Sequence, residues 1–225
     1  MKPGGGRTSL YFDLLDGFQQ PGCSICRYTL RAVERFFASL TYENTNDYDT
    51  RNDIRQARGF CNRHTLQYVS FADELGTAII CRDLLHTVLP ALAEATTGGL
   101  TAMAATLTDP EGRRAAERAL KALAPTATCL ACRRLLAAED DYRSTLLRHL
   151  ESAEFVAAFA ASSGLCTIHG SQTLQQSRGT RRDVLRRVQR QSYSTLLQNL
   201  NTSTADAPVS PPTLTAAVGG PGIRP

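Results

Sequence analysis

Six cysteines and two histidines stand in pairs three residues apart: Cys23 and Cys26 in CSIC, Cys61 and His64 in CNRH, Cys129 and Cys132 in CLAC, Cys166 and His169 in CTIH. Residues i and i+3 share one side of a helix turn, so each pair can aim two donors at one point. Two pairs together give Cys3His, a donor set that holds structural zinc in a closed tetrahedron. A shell filled by protein leaves no position for a water nucleophile, which argues against hydrolytic zinc chemistry. Iron–sulfur ligation and thiol redox chemistry are the alternatives for the same residue types. No βαβ pattern surrounds either CxxC, which removes a thioredoxin-like reading.

The pairs recur at matched spacing. Cys26 and Cys61 enclose 34 residues; Cys132 and Cys166 enclose 33. Gly59-Phe60 precedes CNRH, Gly164-Leu165 precedes CTIH, and Arg27 and Arg133 follow the two CxxC pairs. Phe36 and Tyr142, and Leu40 and Leu146, fall in the same register. The pattern reads as an internal duplication with a period of about 105 residues. Pairing within each half would join Cys23, Cys26, Cys61 and His64 in one centre, and Cys129, Cys132, Cys166 and His169 in the other. We prefer it because one helical hairpin, closed at its two ends by a metal, explains both halves; pairing across the halves is open as well. Gly59 and Gly164 suit the left-handed C′ position that ends a return helix. Arg27 and Arg133, with Arg58 and Arg63, stand where they can offset the negative charge of three thiolates on a divalent ion.

The elements that must position these donors read as all-α, a pseudo-duplicated helical bundle. A flexible lead covers 1–7, the first helical repeat 8–105 and the second 106–201. Residues 202–225 hold half of the ten prolines and almost no charge, the composition of a disordered tail. Val33, Phe36, Phe37 and Leu40 carry a helical period, as do Ile80, Leu84, Leu85, Val88 and Leu92, with a kink or break expected at Pro90. Pro110 marks a helix start. Val184, Leu185 and Val188 mark another helix, with Thr180 and Asp183 as its N-cap pair. Cys81 is left over and reads as a buried apolar-face residue; His86 lies five residues on, a poor spacing for shared ligation, and His149 reads as structural or exposed.

A net charge of +4 and a pI near 8.8 permit an anionic partner without demanding one. The first residues hold no apolar stretch of a secretory signal, and no apolar run reads as long enough to span a bilayer. The expected location is the cytoplasm, where cysteines serve as metal ligands or redox groups more often than as disulfides.

Two further stretches invite a function. Tyr42, Glu43, Asn46, Asp47 and Arg51 form a polar candidate binding site without a counterpart in the second half, although one of the acids can simply cap the following helix. Arg181, Arg182, Arg186, Arg187 and Arg190 lie along one helix and could meet phosphates or an acidic protein, or could be a solvated basic face. No Walker A, dinucleotide, HExxH or Ser-His-Asp pattern is present, so no reaction can be named.

CSIC, YENTND and RGFCNRH together resemble an uncharacterised group of bacterial and archaeal helical proteins, a domain of unknown function with CxxC, a Tyr-Glu-x-x-Asn-Asp-like stretch and GFCxxH. The resemblance covers about residues 10–200. It implies metal binding and a helical fold and supplies no activity. The expectation is a non-enzymatic interaction or regulatory module with two structural zinc sites. A nucleic-acid binder using the arginine helix and an iron–sulfur or thiol redox protein are the alternatives.

Overall fold

The computed structural model describes residues 7–96 and 110–201. Most of the expected flexible lead and all of the expected tail lie outside the described residues. Among the described residues the chain forms helices and no strand. In order these are α1 (Ser9–Phe18), α2 (Ser24–Ser39), a π-helical turn (Leu40–Asn44), α3 (Tyr48–Gln56), α4 (Asn62–Val69), α5 (Glu74–Thr96), α6 (Pro110–Leu123), α7 (Leu130–His149), α8 (Ala153–Ala160), α9 (Thr167–Gln176) and α10 (Gly179–Asn201).

The helix lengths correct the self-closing hairpin. α2 has 16 residues and rises about 24 Å, whereas α3 has 9 and returns about 13.5 Å. α7 has 20 residues, about 30 Å, against 8 in α8, about 12 Å. In both halves the return helix falls far short of the outgoing one. The CxxH at its end therefore does not come back to the CxxC where the outgoing helix began.

By contacts the chain divides into two compact units, one of residues 1–33 with 135–225 and one of 34–134; the divisions fall inside α2 and α7. In the first unit, α1 and α10 pack on α8, and α10 packs on α9. Tyr11, Leu14, Ile25, Leu146, Phe155, Phe159 and Leu185 are almost wholly buried there, together with Cys23, Cys26 and Cys166. Tyr28 stacks on Tyr142, whose hydroxyl donates to Asp13. His149, expected to be structural or exposed, is buried between Tyr11 and Phe155. In the second unit, α5 packs on α3 and α6. Phe37, fully buried, sits among Phe60, Tyr68 and Phe71 with ring centroids 5.3–6.0 Å away.

Several local expectations change. Pro90 does not break α5, which runs on to Thr96, although proline has no N–H to give the helix there. Cys81 is exposed, because the buried face of this helix passes through Ile80 and the next residue is turned by about 100°. α10 starts at Gly179, so Thr180 lies inside the helix and not ahead of it. Within α5, residues Glu74–Ala93 form a 20-residue segment of mean hydropathy 1.3, long and apolar enough to cross a membrane by length and composition alone. This amends the expectation that no run reaches that length. The segment carries Arg82 and Asp83 near its middle, and Asp83 pairs with Arg51 and Arg55. A charged residue at a bilayer centre costs about 2.5–3.5 kcal/mol.

Candidate metal centres

All four donor pairs are built the same way. Cys61 and Cys166 are the N-cap residues of α4 and α9, and Cys23 and Cys129 immediately precede α2 and α7. The carbonyl of each accepts the first helical hydrogen bond, from Thr65, Gly170, Arg27 and Arg133 respectively. The second member of each pair is thus the third helical residue, one turn along the same side. Each centre lies where two helix N-termini converge, and the positive end of a helix dipole favours thiolates.

The grouping differs from the preferred one. Cys23, Cys26, Cys166 and His169 come together in the first unit, and Cys61, His64, Cys129 and Cys132 in the second, each set with its donor atoms within 4.8 Å of one another. Each CxxC is completed by the CxxH of the other half. The unequal hairpins described above are the physical reason.

Both sets fit a single tetrahedral ion. Bonds of about 2.3 Å to sulfur and 2.0–2.1 Å to nitrogen require S···S near 3.8 Å and S···N near 3.6 Å. In the first centre Cys26 and Cys166 sulfurs are 3.6 Å apart, and His169 Nδ1 lies 3.3–3.5 Å from all three sulfurs. In the second, Cys61 and Cys132 sulfurs are 3.7 Å apart, and His64 Nδ1 lies 3.2–3.7 Å from the three. The cysteines are free, and these separations are far beyond the roughly 2.05 Å of a disulfide. Both histidines present Nδ1, which leaves Nε2 to carry the proton.

The electrostatics call for a cation. Burial, then hydrogen bonds and repulsion from Cys166 and Cys26, push the Cys23 thiol well above its ordinary range. Burial and the neighbouring Cys129 and Cys61 push Cys132 up to about 12. Hydrogen bonds from Cys23 and Cys26 hold Cys166 far below it. A divalent ion at such a site offsets the repulsion among neighbouring thiolates and lets them ionise together. The imidazoles differ. Burial, helped by the charge of Arg63, lowers His64 to about 4. Burial also opposes a charge on His169, but hydrogen bonds with Cys166, Cys26 and Glu139 raise it to about 11.

The arginines expected to offset the site charge are mostly engaged elsewhere. Arg27 donates to the Pro21 carbonyl, Arg58 to the carbonyls of Arg55 and Ala122, and Arg133 to Asp53. Arg63 acts on its centre through His64, whose charging its own charge opposes. Nor is Gly59 the C′ residue: Arg58 takes the left-handed conformation (φ 54°) and donates to Arg55 O, while Gly59 N donates to Ile54 O, a complete Schellman turn. Gly164 (φ 70°) lies beyond the end of α8, and a Cβ there would come within 2.9 Å of Ser192. Gln189 clamps the adjoining strand-like backbone, accepting from Leu165 N and donating to Leu165 O, and so fixes the approach to Cys166.

The other candidates separate into parts. Asp47 caps α3 through Thr50 N at 2.8 Å, and Arg51 is committed to Asp83. Tyr42, Glu43 and Asn46 remain around a shallow pocket of about 130 Å³ beside the π-helical turn, joined by Asp73, a residue the sequence did not single out. On α10, Arg181 pairs with Glu151 and Arg182 donates to the Ser177 carbonyl, while Arg186, Arg187 and Arg190 are exposed along one groove. A residue beside the first centre that the sequence did not single out is Glu139. It is 2% exposed and 3.3 Å from His169 Nε2. The available signal was its register: it occupies the position that Val33, an apolar residue, holds in the first half.

Comparison with known proteins adds a family and no activity. A curated relative, an uncharacterized 23.9 kDa protein in the xynA 3′ region of Caldicellulosiruptor sp. (strain Rt8B.4), is 38% identical over 74 residues, 33% of this chain and 36% of that protein. The aligned part thus spans about a third of the relative's length. No solved structure matches. The family model for a family of unknown function, DUF6062, matches residues 10–206, which takes in both donor sets, and the chain belongs to that family.

Proposed function

We propose that the chain is a zinc-stabilised helical module, duplicated in origin, whose two closed Cys3His centres hold a surface for a protein partner and carry out no catalysis. One observation supports this most: each centre gathers three thiols and one imidazole at the spacing of a single tetrahedral ion. A four-donor shell leaves no open position for substrate. In an iron–sulfur cluster thiolates bind different irons and stand further apart than donors sharing one ion, so this compactness favours a mononuclear site. Metal analysis of anaerobically purified full chain tests the reading. The expected result is a colourless protein with about two zinc per chain, one per closed set. Iron with visible cluster absorption would transfer the chain to the redox class.

A second reading rests on α10. Arg186, Arg187 and Arg190 line a groove of about 770 Å³ with Asp183, Gln189 and Tyr193, a basic excess of three arginines over one acid, and among the described residues no ion pair occupies these three guanidinium groups. Such a groove suits the phosphates of a single-stranded nucleic acid. If it does so, filter binding of an oligonucleotide should weaken with salt, and Arg186→Ala with Arg190→Ala should lower the log–log slope by about 1.4, or about 0.7 for each contact. Affinity that ignores salt would remove this reading.

A further inference from the structure

We infer that Glu139 is a positioning residue for His169, and that the two centres consequently hold their metal unequally, the Cys23–Cys26–Cys166–His169 centre more tightly. The inference rests on the reading of both donor sets as metal sites. With Nδ1 on the metal, the His169 proton is at Nε2, and Glu139 Oε1 faces that atom at 3.3 Å. Both side chains are 2% exposed, so the contact works in a dry environment where a carboxylate acts strongly on an imidazole. Glu139 is itself steadied by Arg143, 3.7 Å away and also bound to Gln172 and Asp140. A carboxylate behind a ligating imidazole fixes its ring and tautomer and makes it a better donor.

The second centre has nothing of the kind. His64 Nε2 is buried and has no hydrogen-bond partner, and its ring faces the edge of Phe37 at 6.3 Å. The residue in register with Glu139 is Val33, which offers an imidazole no acceptor. Cys61 is also only partly buried, whereas all four donors of the first centre are buried. Two independent features, the outer carboxylate and the burial of the donors, therefore point the same way.

The test is chelator competition on the full chain loaded with two metal ions. Wild type should release its metal in two steps, and Cys61→Ser should abolish the weaker one. Glu139→Gln, which keeps the shape and removes the charge, should weaken the tighter step by about 10–100-fold and leave the other unchanged. With Co²⁺ in place of the native metal, the same variant should alter the visible absorption of one ion out of two, which a purely structural role would not do. A single release step from wild type overturns the inference, as does equal weakening of both steps in Glu139→Gln. The wild-type measurement decides the matter even if the variant fails to fold. A chain that holds no metal at all overturns the metal reading as well, and two ions leaving together overturn only the inequality.

Discussion

Stripping the metal should unfold both helical units, with loss of most of the far-UV helical signal and of the cooperative thermal transition. The reason is what the donors become without an ion. Cys23, Cys26 and Cys166 lie within the main apolar cluster of the first unit, and with His169 each is 6% exposed or less. Left empty, they are four polar groups in a dry core whose partners are one another and, for His169, the Glu139 carboxylate, and burial resists the charges that would suit the thiols. Filled, they tie α2 to α9 at two helix starts, which α8 and α10 then cover. Binding of structural zinc is worth about 10–16 kcal/mol near pH 7, against a total stability of about 5–15 kcal/mol for a typical domain. The metal term is as large as everything else combined. The second centre plays the same part for α4 and α7, with Phe37 and Phe60 packed nearby. Circular dichroism and calorimetry before and after chelation check this. A metal-free protein with full helicity and an unchanged melting temperature would defeat it.

The donors themselves were readable from sequence because ligation demands particular residues at particular intervals. A cysteine at an N-cap and a donor three residues on is a local arrangement, and local arrangements survive in the spacing. What the spacing could not reveal was which pairs meet. That depends on how far each helix carries the chain before it turns, and the 16 residues of α2 against the 9 of α3 leave a difference of about 10.5 Å. Boundaries of that kind are set by tertiary packing: the π-helical turn after α2, with Thr45 donating to the Leu40 carbonyl, consumes residues that would otherwise lengthen α3. Cys81 and Pro90 show the same limit. Both sit on a helix correctly expected, but its face and its continuity were decided by α3 and α6 packing against it. Glu139 was hidden differently. Nothing about a glutamate on an exposed-looking helix advertises that it is buried, except the valine at the matching distance from the first CxxC.

The exchanged pairing has a test that reverses outcome with the alternative. Cys26→Ser should lower the metal content from two ions to one, because a serine hydroxyl does not replace a thiolate on a soft-ligand site. Adding Cys166→Ser should change the count no further, since both sulfurs belong to one centre, 3.6 Å apart. Adding Cys61→Ser to Cys26→Ser should instead remove both ions, because Cys61 serves His64, Cys129 and Cys132. If each half closed its own hairpin the results would interchange: Cys26 with Cys61 would cost one metal and Cys26 with Cys166 both. Stability should follow the same rule, since substitutions in one network are strongly non-additive and those at separate sites add. The Cys26–Cys166 double variant should lose no more helical signal than either single, since one substitution already forfeits that centre's metal. Metal content per chain, measured on dialysed protein for the two double variants side by side, separates the two pairings without reference to what the protein binds. Retention of one ion by Cys26→Ser/Cys61→Ser would restore the self-closed hairpin in spite of its unequal arms.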